Sequence, residues 1–303
     1  MNDDTRVPVL PQVHVLTGGE SGPVVTVLGG VHGDEYEGVL AVRRLASRIE
    51  PGALRGTIRL VAPAHPAAWA ASSRNGPVDD LNLARVFPGR ADGTPTEQVA
   101  HYLTTEAIAG ADVLIDLHSG GFGFDMPLLA GYHAGQGELS ARSGELAAVF
   151  GAPLLWQHPE AAAGRSLSAA TAWGVASLSV AGRGGGQVRR EDLDCYVDGL
   201  LRVLGHLGMI DGAPAPARSV AVRGDGNTDG GITAPCAGYF VTSVQAGSTV
   251  SEGQTLGEIF DERGAAVAAI PSPLSGVVML VRRGTRVESG DTLAIVAAYV
   301  EEQ

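Results

Sequence analysis

His32 and Glu35 stand three residues apart in the stretch Gly-Gly-Val-His-Gly-Asp-Glu-Tyr-Glu-Gly, residues 29–38. An imidazole and a carboxylate at that spacing can reach one divalent cation, and a nitrogen–oxygen donor pair suits zinc. By itself H-x-x-E is a weak signal. The glycines around it strengthen it, because residues without a Cβ let backbone and ligand crowd together. A catalytic zinc takes three protein ligands and keeps a fourth position open. His118, near the end of Asp-Val-Leu-Ile-Asp-Leu-His-Ser-Gly-Gly, residues 112–121, offers the third. Asp116 lies two residues earlier, on the same side of an extended strand, where its carboxylate can orient the imidazole. The expectation is one Zn2+ per chain, held by His32, Glu35 and His118.

These side chains need elements that deliver them to one place. Residues 24–28 form an apolar run that reads as a buried strand, and residues 36–49 repeat apolar positions at helical spacing. His32 and Glu35 therefore sit in a strand-to-helix turn. His118 ends a second apolar strand. In open α/β sheets that edge is where ligands bind. Further strands are expected at 13–16, 57–61, 126–130 and 176–180. Helices are expected at 97–108, around 144–150 and at 191–207. The alternation argues for an α/β fold with a doubly wound, mostly parallel sheet. Residues 63–96 lack clear periodicity and read as a long functional loop.

The composition shifts at Gly-Ala-Pro-Ala-Pro-Ala, residues 212–217. Beyond it, short β-rich runs at 219–222, 238–244, 255–260, 277–281 and 292–296 are separated by Gly, Pro and Asp, which reads as a small all-β domain. The expected division is 1–212 and 213–303. Within the second part, V-x-x-G-[ST]-x-V-x-x-G-[QD]-T-L occurs at 244–256 and again at 281–293. This repeat resembles the two halves of a lipoyl-type barrel-sandwich domain. The hairpin that carries the modified lysine there is Pro-Ser-Pro-Leu-Ser-Gly here, so the expected role is a lid, a specificity element or an oligomer contact.

The 303 residues carry a net charge of −12. Nucleic acid and anionic membrane are therefore poor partners. All 21 basic residues are arginine, which excludes a Schiff-base lysine, a P-loop lysine and a lipoyl attachment site. Two distant cysteines give no disulfide framework, and the first residues lack a signal peptide's basic and apolar segments, so the expected location is cytoplasmic. No apolar run is long enough to span a membrane.

Together, G-G-x-H-G-D-E at 29–35, N-L-x-R-x-F-P-G at 82–89 and D-L-H-S-G-G at 116–121 resemble the succinylglutamate desuccinylase/aspartoacylase family of zinc-carboxypeptidase-like amide hydrolases. The resemblance covers both parts of the chain. It implies zinc ligation by His32, Glu35 and His118, a carboxylate-binding Arg85, and an oxyanion-stabilising Arg74. A planar guanidinium suits both tasks. The implied substrate is a small N-acyl amino acid or related amide. Two positions depart from the family pattern. Ala84 stands where many relatives have asparagine, so Asn82 is the candidate for that polar contact. Ala181, in Leu-Ser-Val-Ala-Gly-Arg-Gly-Gly-Gly at 178–186, stands where the family has its general-base glutamate. Three readings are open: a Glu→Ala variant that traps substrate, a natural member with altered chemistry, or transfer of the role to Glu191 or Asp192. The rivals to a hydrolase are a substrate-binding pseudoenzyme and a non-hydrolytic cyclase or acyl-transfer enzyme. A peptide carboxypeptidase ranks lower, since the arginine-bearing loop and added β part suggest a closed pocket. His65 and His133 are further candidates for the pocket wall, and Arg183 for a substrate contact. The glycines at 182–186 follow no phosphate-loop pattern.

Overall fold

The computed structural model describes residues 8–159, 162–215 and 217–300. The chain opens with β1 (Val13–Thr17) and β2 (Glu20–Gly29), then α1 (Tyr36–Ala46), β3 (Arg55–Val61), α2 (Pro66–Ala71) and α3 (Pro95–Tyr102). It continues through β4 (Val113–Ser119), β5 (Phe124–Asp125), β6 (Leu129–His133), α4 (Glu138–Phe150) and β7 (Leu154–His158). α5 (Ser166–Ala172), β8 (Ala176–Gly182), α6 (Arg190–His206) and β9 (Val220–Arg223) follow.

Several of these differ from the sequence expectation for local reasons. Helix α1 stops at Ala46, short of residue 49, and the Ser47 hydroxyl donates to the Arg44 carbonyl just past its end. The stretch 63–96 is not one loop: Pro66 opens α2, and Leu83–Arg85 makes a short 3-10 turn capped by Asn82. Helix α3 begins two residues early because Thr94 and Glu97 form a reciprocal capping box. It then widens into a π-helical turn at Leu103–Ile108. Strand β7 and helix α5 had no expectation at all.

In its α/β part the sheet is mostly parallel, as expected, with antiparallel pairings at two places. Strands β3, β2, β4 and β8 run parallel, while β1 on one side and β6 on the other pair antiparallel. Helices cover both faces. Val25 and Val27 of β2 join a core with Leu45 of α1, Phe150 of α4 and Leu200 of α6. Leu28 turns the other way, toward Leu83, Val99 and Ala169. Burial on both faces explains why β2 and β4 read as continuous apolar runs. Each such aliphatic side chain contributes about 1.5–3 kcal/mol on burial.

The remainder of the chain supplies β10 (Ile232–Thr233), β11 (Gly238–Thr242), β12 (Thr249–Val250), β13 (Thr255–Phe260), β14 (Ala266–Pro271), β15 (Gly276–Arg282), β16 (Arg286–Val287) and β17 (Thr292–Tyr299). Strands β14, β13, β11 and β16 form a four-stranded antiparallel sheet. Its Phe240, Leu256 and Ile259 share a core with Val278, Val281 and Leu293 of β15 and β17. The larger sheet does not stop at residue 212. Strand β9 adds parallel to β7, and β17 pairs with β9, so hydrogen bonding runs continuously into the C-terminal part. The loop between β9 and β10 is thereby held over the edge where β4 and β8 end, as its contacts below show. No helix among the described residues is long and apolar enough to cross a membrane.

Candidate metal centre and its pocket

Glycines bring the two strand ends together. A Cβ on Gly33 would fall 2.0 Å from the Ala68 carbonyl oxygen of α2, and one on Gly38 would fall 2.7 Å from that of Leu117 in β4. The glycines of this stretch therefore serve close backbone packing, not the approach of a ligand. The packing sets Glu35, just before α1, beside His118 on β4. His32 Nδ1 lies 2.8 Å from Glu35 Oε1, and His118 Nδ1 lies 3.0 Å from Glu35 Oε2. The candidate donor atoms of His32, Glu35 and His118 all lie within 4.8 Å of one another.

The outward nitrogens decide what the inward ones can do. Asn82 Oδ1 accepts from the Ala84 amide at 2.9 Å, so that atom is the oxygen, and His32 Nε2–H donates to it at 2.9 Å. His118 Nε2 sits 3.1 Å from Asp116 Oδ2. The Ser166 hydroxyl also donates to Asp116, and the Tyr196 hydroxyl to the His118 carbonyl. With its Nε2 engaged as a donor, a neutral His32 turns a lone pair toward Glu35, while a protonated His118 donates to both Glu35 and Asp116. A divalent cation between the two imidazoles and Glu35 would take the place of that His118 proton. Burial pushes the Glu35 carboxyl up, yet His32 and His118 hold it well below the usual range. Burial, against the pull of Glu35, keeps His32 low and neutral. Burial also pulls His118 down, but Asp116 and Glu35 outweigh it and hold the imidazole up at about 10. The donor set therefore fits a nitrogen- and oxygen-preferring divalent ion such as zinc.

A cavity of about 140 Å³ opens beside this cluster. Arg74 enters it and lies 3.0 Å from Glu35 Oε1. Ala181 forms part of the wall, in register with His118 on the neighbouring strand. Its apolar neighbours include Met126, Leu129 and Trp156. Among the described residues, Glu35 and Asp225 are the carboxylates lining the cavity. Neither Glu191 nor Asp192 replaces the missing glutamate. Glu191 is exposed and pairs with Arg183 at 2.8 Å, and Asp192 is wholly buried in α6, away from the cavity. Arg183 is thereby a partner of α6 and does not line the cavity.

Of the two other histidines, His133 lines the cavity and His65 does not. His65 is buried at the start of α2, where Nδ1 accepts from the Ala68 amide and Nε2 lies 3.3 Å from Thr96 Oγ1; burial lowers it to about 4. Sequence reasoning missed Arg165, Ser166 and His158. Strand β7 ends on His158 as β4 nearly ends on His118, a signal present in the sequence; burial lowers this imidazole to about 4. Arg165 carries no such signal. It enters the cavity, donates to Asn227 Oδ1 at 3.1 Å, and has no carboxylate within 4 Å among the described residues. Burial, then the nearby Arg85, lowers it. Glu37 was also missed. It is buried on α1 and accepts from the Gly184 amide at 3.1 Å, tying the glycine run to the helix.

Arg85 reaches the same cavity from the 3-10 turn, with Asp229 across from it. Asn82 faces His32, where it holds the ring rather than the cavity.

Residues 21–207 match the model of the succinylglutamate desuccinylase/aspartoacylase catalytic domain. The N-alpha-acetyl-L-2,4-diaminobutyric acid deacetylase of Halomonas elongata is 32% identical over 298 residues, covering 97% of this chain and 87% of that protein. A succinylglutamate desuccinylase/aspartoacylase structure from Rhodobacter sphaeroides superposes with a TM-score of 0.87 at 30% identity, covering 98% of this chain and 94% of that one. The product-bound ectoine utilization protein EutE (DoeB) from Ruegeria pomeroyi superposes with a TM-score of 0.88 at 28% identity, covering 94% and 88%. The chain thus belongs to the succinylglutamate desuccinylase/aspartoacylase family.

Proposed function

We propose that the chain is built as a zinc-dependent hydrolase of small amides, removing the acyl group from an N-acyl amino acid. The observation that carries this reading is the convergence of His32, Glu35 and His118, with their outward nitrogens held by Asn82 and Asp116. A bound zinc would polarise the acyl carbonyl and acidify water for attack near neutral pH. The remaining work falls to the chain's own side chains. Arg74, beside Glu35, is placed to face the oxygen on which negative charge develops. Arg85 and Arg165 give the pocket two further cations for the substrate's carboxylate. Position 181, next to His118, is where a carboxylate would carry the proton from water to the departing amine. Because the Halomonas relative deacetylates an N-acetylated diamino acid, Nα-acetyl-L-2,4-diaminobutyrate is the first substrate to test.

Ala181 also supports a second reading: a family member that binds such ligands, or rearranges them, without hydrolysis. Both readings keep the division at residue 212, with a barrel-sandwich-like β part. Cytoplasmic action agrees with the two free cysteines.

Two substitutions test the arginines. Arg85→Lys is expected to weaken binding of a carboxylate ligand markedly, since lysine cannot form the two-pronged contact. An unchanged titration would remove Arg85 from that role. Arg74→Ala, in a form with glutamate at 181, should lower kcat by roughly 10²- to 10³-fold with little change in KM. An effect on KM alone would assign Arg74 to ground-state binding.

A further inference from the structure

The guanidinium of Arg85 is already occupied. Its Nε donates to Asp229 Oδ2 at 2.7 Å, and its NH2 donates to Asp229 Oδ1 at 3.0 Å. The same NH2 donates to Thr228 Oγ1 at 3.2 Å, and NH1 donates to the Ala84 carbonyl at 3.1 Å. Arginine has five N–H groups, and the chain itself uses all but one. A substrate carboxylate therefore finds no free fork on Arg85.

Asp229 comes from the loop between β9 and β10, which lies along the pocket in an ordered way. Asp225 Oδ1 accepts from the Asn227 amide at 2.9 Å, and Asn227 Oδ1 accepts from the Asp229 amide at 3.1 Å. Asn227 also takes Arg165, and the Thr292 hydroxyl of β17 donates to the Thr228 carbonyl at 3.1 Å. The backbone is thus fixed while the Asp229 carboxylate stays 63% exposed. Such a group can leave its partner for water at small cost.

We propose that Asp229 is a specificity-determining residue, an internal stand-in for the substrate's carboxylate that a ligand must displace from Arg85. This rests on the reading of Arg85 as the carboxylate-binding residue. A neutral ligand has nothing to exchange for the Arg85–Asp229 pair and gains nothing at this position. A carboxylate ligand replaces one bidentate contact with another and releases Asp229 to solvent. The device selects ligands by charge and geometry, at the expense of affinity. Arg165, which lacks a carboxylate partner among the described residues, is the cation an entering anion meets without competition.

The test is calorimetric titration of the zinc-loaded full chain with Nα-acetyl-L-2,4-diaminobutyrate and with its carboxamide. Asp229→Asn should bind the carboxylate form roughly fivefold more tightly than the unchanged chain, the upper range for releasing such an ion pair. Binding of the carboxamide should not change. Asp225→Asn removes the same charge from the same loop without touching Arg85, and should give a clearly smaller gain. Asp229→Asn binding the carboxylate no more tightly than the unchanged chain overturns the proposal, as does an equal gain from Asp225→Asn. If that happens while Arg85→Lys still weakens binding, Arg85 keeps its role and only the competition fails. If Arg85→Lys has no effect either, the carboxylate-binding reading of Arg85 falls with it.

Discussion

Ala181→Glu is expected to raise amide hydrolysis by roughly 10²- to 10⁴-fold, the usual worth of a positioned acid–base group. Position 181 lines the cavity on β8, directly in register with His118 on β4. A side chain there projects toward the inferred metal site, and the cavity offers it room. No other carboxylate of the described chain does the job: Glu35 is committed to the histidines and Arg74, Asp225 arises on the far loop, and Asp192 is buried elsewhere. Met126, Leu129 and Trp156 surround the position with apolar surface. Burial there favours the neutral acid, while Arg74, Arg165 and a bound metal in the same cavity would favour the carboxylate that acts as the base. The rescued rate should fall on the acid side as that group protonates. An assay of both forms over a panel of N-acyl amino acids reads the difference. Binding without hydrolysis in both forms would favour the pseudoenzyme or non-hydrolytic reading. A fast alanine form would show that position 181 is not the base.

His118→Ala is expected to abolish zinc binding and, in the glutamate-bearing form, activity. Two of three ligands rarely hold the ion, and the open fourth position adds no protein donor. The substitution has a second consequence. It leaves Glu35, buried to within 1% of its surface, with His32, Arg74 and the Ser119 amide as partners, and leaves Asp116 with Ser166. Removing one member of a buried charged cluster costs about 3–5 kcal/mol, so the metal-free variant should also melt earlier. His118→Asn retains a polar group beside both carboxylates and separates the two effects. It should recover part of the stability and none of the zinc.

Much of the site was legible because strand ends write themselves plainly. Val-Val-Thr-Val-Leu before Gly29 and Val-Leu-Ile before Asp116 are apolar runs that stop at polar, glycine-rich turns, so His32, Glu35 and His118 could be placed on one sheet edge. Asp116 followed from the two-residue period of a strand. Arg165 and Asp229 could not be read this way. Their roles depend on β9 adding to β7, a pairing between distant segments that leaves no local pattern, and on the loop it carries back over the pocket. Asn82 was assigned to substrate because its motif names a polar contact; only tertiary packing shows that it faces His32. The mixed strand direction was hidden for a related reason. A buried strand reads the same whichever way it runs, so nothing in Leu129–His133 announces that β6 is antiparallel to β8.

Titration of metal-free Ala181→Glu with zinc, followed by both bound metal and hydrolysis of Nα-acetyl-L-2,4-diaminobutyrate, tests the central claim most directly. Activity should appear with the added zinc and stop rising at one zinc per chain, and His118→Ala should show neither uptake nor activity. Failure to take up zinc, or hydrolysis that proceeds equally without it, would contradict the assignment of His32, Glu35 and His118 as a catalytic zinc centre.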